Sequence, residues 1–351
     1  MRYTANHSRK QSDPSCSSDI AVALSQRLVG QPAAIATLAP YVDMYRARLA
    51  PEGRPAGVFL LLGPTGTGKT KTVEALADVL HASPKKLLKV DCGEYQMEHE
   101  VAKLLGAPPG YLGHRETQPL LTQQKLSAAA SESCDLSIVL FDEIEKAAPS
   151  LIQLLLGVLD KGTLRLGDGT AVNFEKTMIF LTSNLGARAM SQELRPEFGF
   201  DCAVPRSEEN QDSKFSRIGM AAVRKNFSPE FLNRIDAVVT YRPLDSAALS
   251  AILNQHIDDL QAHIHRRLGE QAFRIEVPAR SRKFLLERGA SAEYGARELK
   301  RTLHSHLVQP LASLVACGEI QAGAHVRAEL ASCKEKLVLR NLTDRLLVPA
   351  C

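Results

Sequence analysis

The residues Gly63–Thr70 read G-P-T-G-T-G-K-T and stand between an apolar run, Val58–Leu62, and a helical pattern, Thr70–Leu80. The pattern G-x-x-x-x-G-K-[ST] has a mechanism only in that context of strand, loop and helix. Glycines let successive backbone N–H groups turn inward around phosphate oxygens. The helix that begins beside Lys69 points its positive end at the same anion. Lys69 neutralises charge on the β- and γ-phosphates, and Thr70 offers a hydroxyl to Mg2+. Gly63, Pro64, Thr65, Gly66, Thr67, Gly68, Lys69 and Thr70 are therefore candidate ATP-binding residues.

A loop of this kind needs a sheet to carry it. Four further short apolar runs predict strands at Leu87–Asp91, Ser137–Phe141, Thr177–Leu181 and Ala237–Tyr241, with helical patterns such as Pro149–Leu159 between them. Nearly continuous apolar runs suit strands covered on both faces. Their alternation with helices predicts an α/β core built on a parallel sheet. One run, Ile138–Phe141, delivers Asp142 and Glu143 at its C-terminal end, where α/β sheets bind ligands. Asp142 can hold Mg2+ through water opposite Thr70, and Glu143 can act as general base on an attacking water. A base in that position favours hydrolysis over transfer to a second small molecule.

The 351 residues suggest about two domains. The pattern changes after Leu244. Asp245–Leu268 reads as one amphipathic helix with Leu249, Ile252, Leu253, Ile257, Leu260 and Ile264 on its apolar stripe. Short strands are expected at Phe273–Val277 and Val326–Leu330, and helices at Ala279–Arg288 and Ala296–Ala316. Residues 1–18 are polar and read as a disordered tail, 19–244 as the large domain and 245–345 as a smaller, mainly helical one. Arg195–Ser213 is polar, holds prolines and reads as a long loop.

Composition narrows the partners. Lys and Arg number 43 against 39 Asp and Glu, a surplus of +4 that does not argue for nucleic acid or an anionic membrane. No apolar run approaches the ~20 residues that span a bilayer, and the polar start has no apolar signal-peptide core. Seven scattered cysteines without a C-x-x-C pair suit reduced thiols in a cytoplasm rather than a disulfide scaffold or a zinc site. The ten histidines show no metal-ligand spacing, so no metal other than Mg2+ is expected.

Seven motifs follow one another along the chain: R-L-V-G-Q (Arg27–Gln31), G-P-T-G-T-G-K-T, G-A-P-P-G-Y-L-G (Gly106–Gly113), L-F-D-E-I-E-K-A (Leu140–Ala147), L-T-S-N-L-G (Leu181–Gly186), P-E-F-L-N-R-I-D (Pro229–Asp236) and Y-G-A-R-E-L-K-R (Tyr294–Arg301). In this order they resemble the AAA+ ATPase module of the Clp-type protein unfoldases, above all the second of the two ATPase rings in double-ring members. The resemblance implies a P-loop core with a five-stranded parallel sheet. It also implies a smaller, mainly helical C-terminal lid with a short β element.

It further implies roles. Val29 and Gly30, within Arg27–Gln31, would contribute to the adenine pocket. Asn184 would orient the water beside Glu143. Arg234 would be an arginine finger reaching the neighbouring subunit's nucleotide, and Arg297 would contact the γ-phosphate in its own chain. A finger acting in trans implies a homo-oligomer, a hexameric ring in this family. Tyr111 and Leu112 would form a pore loop that grips polypeptide clients, and Gly162–Phe174 a second pore loop turning at Asp168–Gly169. Cofactors are then ATP and Mg2+, the activity protein unfolding in the cytoplasm, and neither nucleic acid nor membrane a partner.

The chain also departs from the family pattern. It has no room for an N-terminal domain or a first ring, so it reads as a single-ring protein or a fragment. His114–Arg115 follow the pore loop where an aromatic is usual, and Glu116–Thr117 replace a glycine pair. Pro40 is expected to interrupt the helical stretch Pro32–Leu49. Phe198–Gly199–Phe200 resembles a peptidase-docking tripeptide with Phe in place of an aliphatic first residue. Three functions compete: a threading unfoldase, a DNA-directed AAA+ machine, and a regulatory or partner-specific ATPase without general unfoldase activity. The modest charge and the aromatic pore loop oppose the second. Glu143, Asn184 and Arg234 together oppose a module that does not hydrolyse.

Overall fold

The computed structural model describes residues 19–106, 119–193, 208–289, 295–331 and 336–342. Its strands are β1 (Gly57–Leu62), β2 (Leu88–Asp91), β3 (Ser137–Asp142), β4 (Thr163–Arg165), β5 (Ala171–Asn173), β6 (Thr177–Ser183), β7 (Ala237–Thr240), β8 (Arg274–Glu276), β9 (His325–Leu330) and β10 (Leu337–Asn341). Five of them form the expected parallel sheet, in the order β2-β3-β6-β1-β7.

Side-chain alternation divides that sheet between two cores. Val58, Leu60 and Leu62 of β1 lie with Val139, Phe141, Ile179 and Leu181 on one face. Phe59 and Leu61 lie with Ile138, Leu140, Met178 and Phe180 on the other. The first face is covered by helices Glu98–Leu105 and Pro149–Lys161, the second by Asp19–Ser25, Pro32–Arg46 and Lys69–His81. With no Trp to fill space, aromatic packing centres on Phe59. It stacks on Phe180 at 5.2 Å between centroids and meets Tyr41 edge-on at 4.9 Å.

A third core, from Leu249 to Leu337, holds the C-terminal helices and a small sheet in the order β10-β9-β8. β8 and β9 run parallel, β9 and β10 antiparallel. β10 escaped the sequence reading because its apolar run, Leu337–Leu339, is only three residues long before Arg340. Ser246–Leu268 is the long helix expected, started by Asp245, whose carboxylate accepts from Ala248 N at 2.6 Å.

Three expectations need correction. Pro40 does not interrupt its helix, which runs from Pro32 to Arg46, because buried Leu38, Ala39 and Val42 hold it against the sheet. Ala296–Ala316 is not one regular helix. Gly295–Leu303 and Gln309–Ala316 are joined by a π-turn, His304–Val308. Pro310 has no N–H for the carbonyl four residues back and its ring crowds that carbonyl, so the preceding turn widens. The stretch Arg195–Ser213 is helical from Glu208 onward, within Glu208–Asn226. Its first turns lack the apolar residues that would have revealed it. Among the described residues no helix is long and apolar enough to cross a membrane.

Candidate active site

β1, β3 and β6 end side by side, and their C-terminal ends bring together most of the charged residues singled out above. The loop after β1 begins at Gly63, with φ of +147°; a Cβ there would lie 2.7 Å from the carbonyl oxygen of Tyr241. Only glycine fits. Tyr241 is fully buried beneath the loop and its hydroxyl bonds Thr72 in the first turn of the next helix, at 2.8 Å.

Lys69 is 8% exposed. Its ammonium donates to the carbonyls of Gly63 (2.7 Å) and Pro64 (2.8 Å) and to Asn184 Oδ1 (2.9 Å). Burial lowers its pKa to about 8, against the pull of the carboxylates of Glu145, Asp142 and Glu143; Arg297 pushes in the same direction as burial.

The acidic pair leaves β3 through a turn in which Glu143 takes a left-handed conformation, φ 57° and ψ 51°. That is a costly geometry for a residue with a side chain. It is tied down on every side. Glu143 N donates to Thr182 Oγ1 (3.0 Å), and its carboxylate meets Asn184 Nδ2 (3.3 Å) and Lys146 Nζ (2.5 Å). Asp142 is held equally firmly, by Thr182 Oγ1 donating to Oδ1 (2.5 Å) and by Lys89 Nζ on Oδ2 (2.7 Å). Burial alone would raise the Asp142 carboxyl. Lys89 and Thr182 outweigh it and hold the pKa below the usual range. Asn184 has its own anchor, its N–H donating to Glu145 Oε1 at 3.0 Å.

A cleft of about 420 Å3 opens in front of these groups. Thr65–Thr70, Asp142, Glu143 and Asn184 line one side. Leu28, Val29, Leu244, Ile252, Gln255 and His256 line the other, and Arg297 and Lys300 close it from the small domain. The volume suits a nucleotide-sized ligand. Burial lowers the His256 pKa. The helix that carries Arg297 docks directly on the loop, Ala296 N donating to Gly66 O at 3.1 Å. Gly295 has φ +49°, and a Cβ there would lie 2.8 Å from the same oxygen.

Gly30 does not line the cleft. It sits where a Cβ would press on Ala248 and Leu244, at 3.0 and 3.1 Å. Its neighbour Gln31 is buried and spans the base, donating to Thr67 O (3.1 Å) and Arg242 O (2.9 Å). Arg234 stands apart from the cleft, its Nη1 donating to Glu230 O at 2.7 Å with Asp160 at 3.7 Å. Tyr111 and Leu112 lie outside the described residues, as do Phe198–Gly199–Phe200. The hairpin Gly162–Phe174 forms as expected, with Thr170 N bonded to Asp168 Oδ1 at 2.8 Å. Its Gly167 N donates to Leu105 O at 2.9 Å, at the end of the helix Glu98–Leu105.

Sequence reasoning missed Lys89, Thr182, Glu145 and Lys146 as supports of this site. Thr182, Glu145 and Lys146 lie inside or beside quoted motifs and could have been marked by position. Lys89 gave no signal, because only strand pairing sets β2 beside β3.

A hydroxyl and one carboxylate, Thr70 and Asp142, are what a Mg2+ ion sharing its shell with phosphates and waters requires. Among the described residues no cluster of three or more His, Cys, Asp or Glu could hold a metal by itself.

Residues 54–238 match the family described as AAA domain (Cdc48 subfamily), and residues 244–328 the C-terminal, D2-small domain, of ClpB protein. The chaperone protein ClpB of Meiothermus ruber is 37% identical over 303 residues, which are 86% of this chain and 33% of that protein. ClpB of Aquifex aeolicus is 37% identical over 306 residues, 86% of this chain and 28% of that protein. The chain thus spans about a third of the length of these curated relatives. Among solved structures, the extended conformation of the S. cerevisiae Hsp104:casein complex superposes with a TM-score of 0.76 at 29% identity, covering 92% of this chain and 52% of that one.

Proposed function

The chain belongs to the AAA+ ATPases, in their Clp-type branch and matching the second module alone, and on that premise we propose that it hydrolyses ATP in a hexameric ring and threads polypeptide through the ring's axis. The observation that carries this reading is the convergence of Lys69, Asp142, Glu143 and Asn184 at the ends of three neighbouring strands.

In this reading the adenine lies against Val29 and Ile252, with Gly30 setting the approach of that segment to the small domain. The phosphates lie on the N–H groups of Thr65–Thr70. Lys69 exchanges the carbonyls of Gly63 and Pro64 for β- and γ-phosphate oxygens. Thr70 and Asp142 would hold Mg2+, which when bound neutralises phosphate charge. Glu143 takes the proton from the attacking water, a contribution of about 10²–10⁴-fold. Asn184 orients that water, and Arg297 reports the γ-phosphate to the small domain. Arg234 reaches the neighbour's site, where such a group is worth roughly 10³–10⁵ in rate. Its position outside its own cleft supports a role in trans.

Residues 19–244 act as the ATPase domain and 245–345 as its lid, in the cytoplasm, with neither nucleic acid nor membrane as a partner. Tyr111 and Leu112 grip the client, and the hairpin Gly162–Phe174 acts as a second pore loop. The yeast neighbour's complex with casein supports a polypeptide client. A peptidase ring docked at Phe198–Gly199–Phe200 is tested separately: co-elution with a peptidase that is lost on Gly199→Ala supports it.

A second reading, a partner-specific ATPase without general unfoldase activity, is favoured by His114–Arg115 and Glu116–Thr117 beside Tyr111. One experiment separates the two. ATPase rate is measured against protein concentration, with and without casein, for the wild type and Tyr111→Ala. A rate that rises with assembly, increases with casein and loses that increase in the variant is the expected result. An ATPase indifferent to casein and to Tyr111 overturns threading and leaves the second reading.

A further inference from the structure

Asp142 faces the phosphate site with both oxygens already engaged. Thr182 donates to Oδ1 at 2.5 Å from within β6, a fixed neighbour in the sheet centre. The partner of Oδ2 is of another kind. Lys89 is a full cation, 2.7 Å away, on the edge strand β2, with nearly half of its side chain exposed. Lys69 cannot take that place, because its ammonium is turned to Gly63, Pro64 and Asn184.

We propose that Lys89 is a positioning residue that occupies the cation side of Asp142, so that Lys89 and Mg2+ compete for the same carboxylate. The inference rests on the MgATP site proposed above and deepens it. Lys89 at contact and a Mg2+ ion held through water would bring like charge to one carboxylate, and they repel each other. When the metal's charge arrives, Lys89 swings toward solvent. Asp91 can receive it: it lies on the same face of β2 two residues on and is in register with Asp142. Lys89 therefore keeps Asp142 aimed at the cleft, and sets how much Mg2+ the site needs to bind nucleotide.

The test uses Lys89→Met, with Lys89→Gln as a second neutral variant and Lys89→Arg as the charge-keeping control. Binding of fluorescent mant-ADP is measured in EDTA and across a Mg2+ titration, and thermal unfolding without nucleotide verifies that each variant folds. The expected result has two opposite signs. In EDTA the neutral variants bind mant-ADP several-fold more weakly, because Asp142 now repels the phosphates uncompensated. In the titration they reach half-saturation at about three- to fivefold less Mg2+, the size expected for a half-exposed ion pair. Arg at this position restores both values.

Neutral variants with an unchanged or higher Mg2+ midpoint, in a protein whose wild type depends on Mg2+, overturn the role of Lys89 alone. A wild type that binds mant-ADP without regard to Mg2+ overturns the MgATP site and this inference together.

Discussion

Asn184 Oδ1 lies 2.9 Å from Lys69 Nζ, so the cation proposed to bind phosphate is held by the amide proposed to orient water. The other end of that amide is 3.3 Å from Glu143 Oε1. One side chain therefore touches both the proposed binding group and the proposed base. Truncating it separates the two. Asn184→Ala should leave the KM for ATP within about threefold and lower kcat by about 10²-fold, the size found for losing one aligned polar group in a transition state. Steady-state ATPase kinetics decide this. A raised KM with kcat intact would assign Asn184 to binding instead.

Lys69 carries a pH signature. Its pKa is depressed to about 8 in the folded chain, against 10.5 for an ordinary lysine. Between those values the unfolded chain holds the proton more tightly, so this group's contribution makes stability rise with pH in that window. Nucleotide binding works in the opposite direction. Phosphates favour the charged amine, so binding above pH 8 takes up a proton and weakens as pH climbs. Calorimetry at pH 9 in two buffers of different ionisation enthalpy should reveal the uptake, and Lys69→Met should abolish it.

Glu143 and Arg234 can be tested against each other. Glu143→Gln should keep ATP bound, lower hydrolysis about 10²–10⁴-fold and hold assembled rings on gel filtration. Arg234→Ala should be comparably slow in assembled protein. Mixed together, the two inactive proteins should recover activity, because a subunit with an intact Glu143 then meets a neighbour with an intact Arg234. No recovery in mixed rings would place Arg234 in its own subunit's chemistry.

Gly295 offers a stability test with an internal control. Gly295→Ala introduces a Cβ 2.8 Å from Gly66 O at φ +49°. Gly323→Ala has a similar conformation, φ +74°, in open space. Both bear the backbone cost of about 1 kcal/mol. Only the first should lose a further 1–3 kcal/mol or so, with weaker mant-ADP binding, because it pushes the small domain off the loop. Chemical denaturation of both variants gives the difference.

The sheet was legible because its central strands β1, β3 and β6 are buried on both faces and so spell unbroken apolar words such as Val58–Leu62 and Ile138–Phe141. Their pairing order was not, and with it went Lys89, whose meaning depends on β2 lying beside β3. Gly63, Lys69, Asp142 and Glu143 announce themselves by spacing. Their supports do not: Thr182 and Glu145 look like ordinary residues until β6 and β3 stand together. Pro310 was visible in the sequence, yet the turn it widens was read as regular helix. Glu208–Ser213 was misread for the reverse reason, since a polar opening turn carries no periodicity.

The bond from Ala296 N–H to Gly66 O has a mechanical consequence. It fastens the small domain to the tip of the loop by backbone alone, at a point where no side chain can cushion a shift. Ser246–Leu268 has 23 residues, so by helical rise it is a rod of about 34 Å. A tilt of about 5° at its near end would carry the far end through about 3 Å. A displacement too small to change any contact at Gly66 thus becomes, one helix away, a stroke as long as a residue of extended chain.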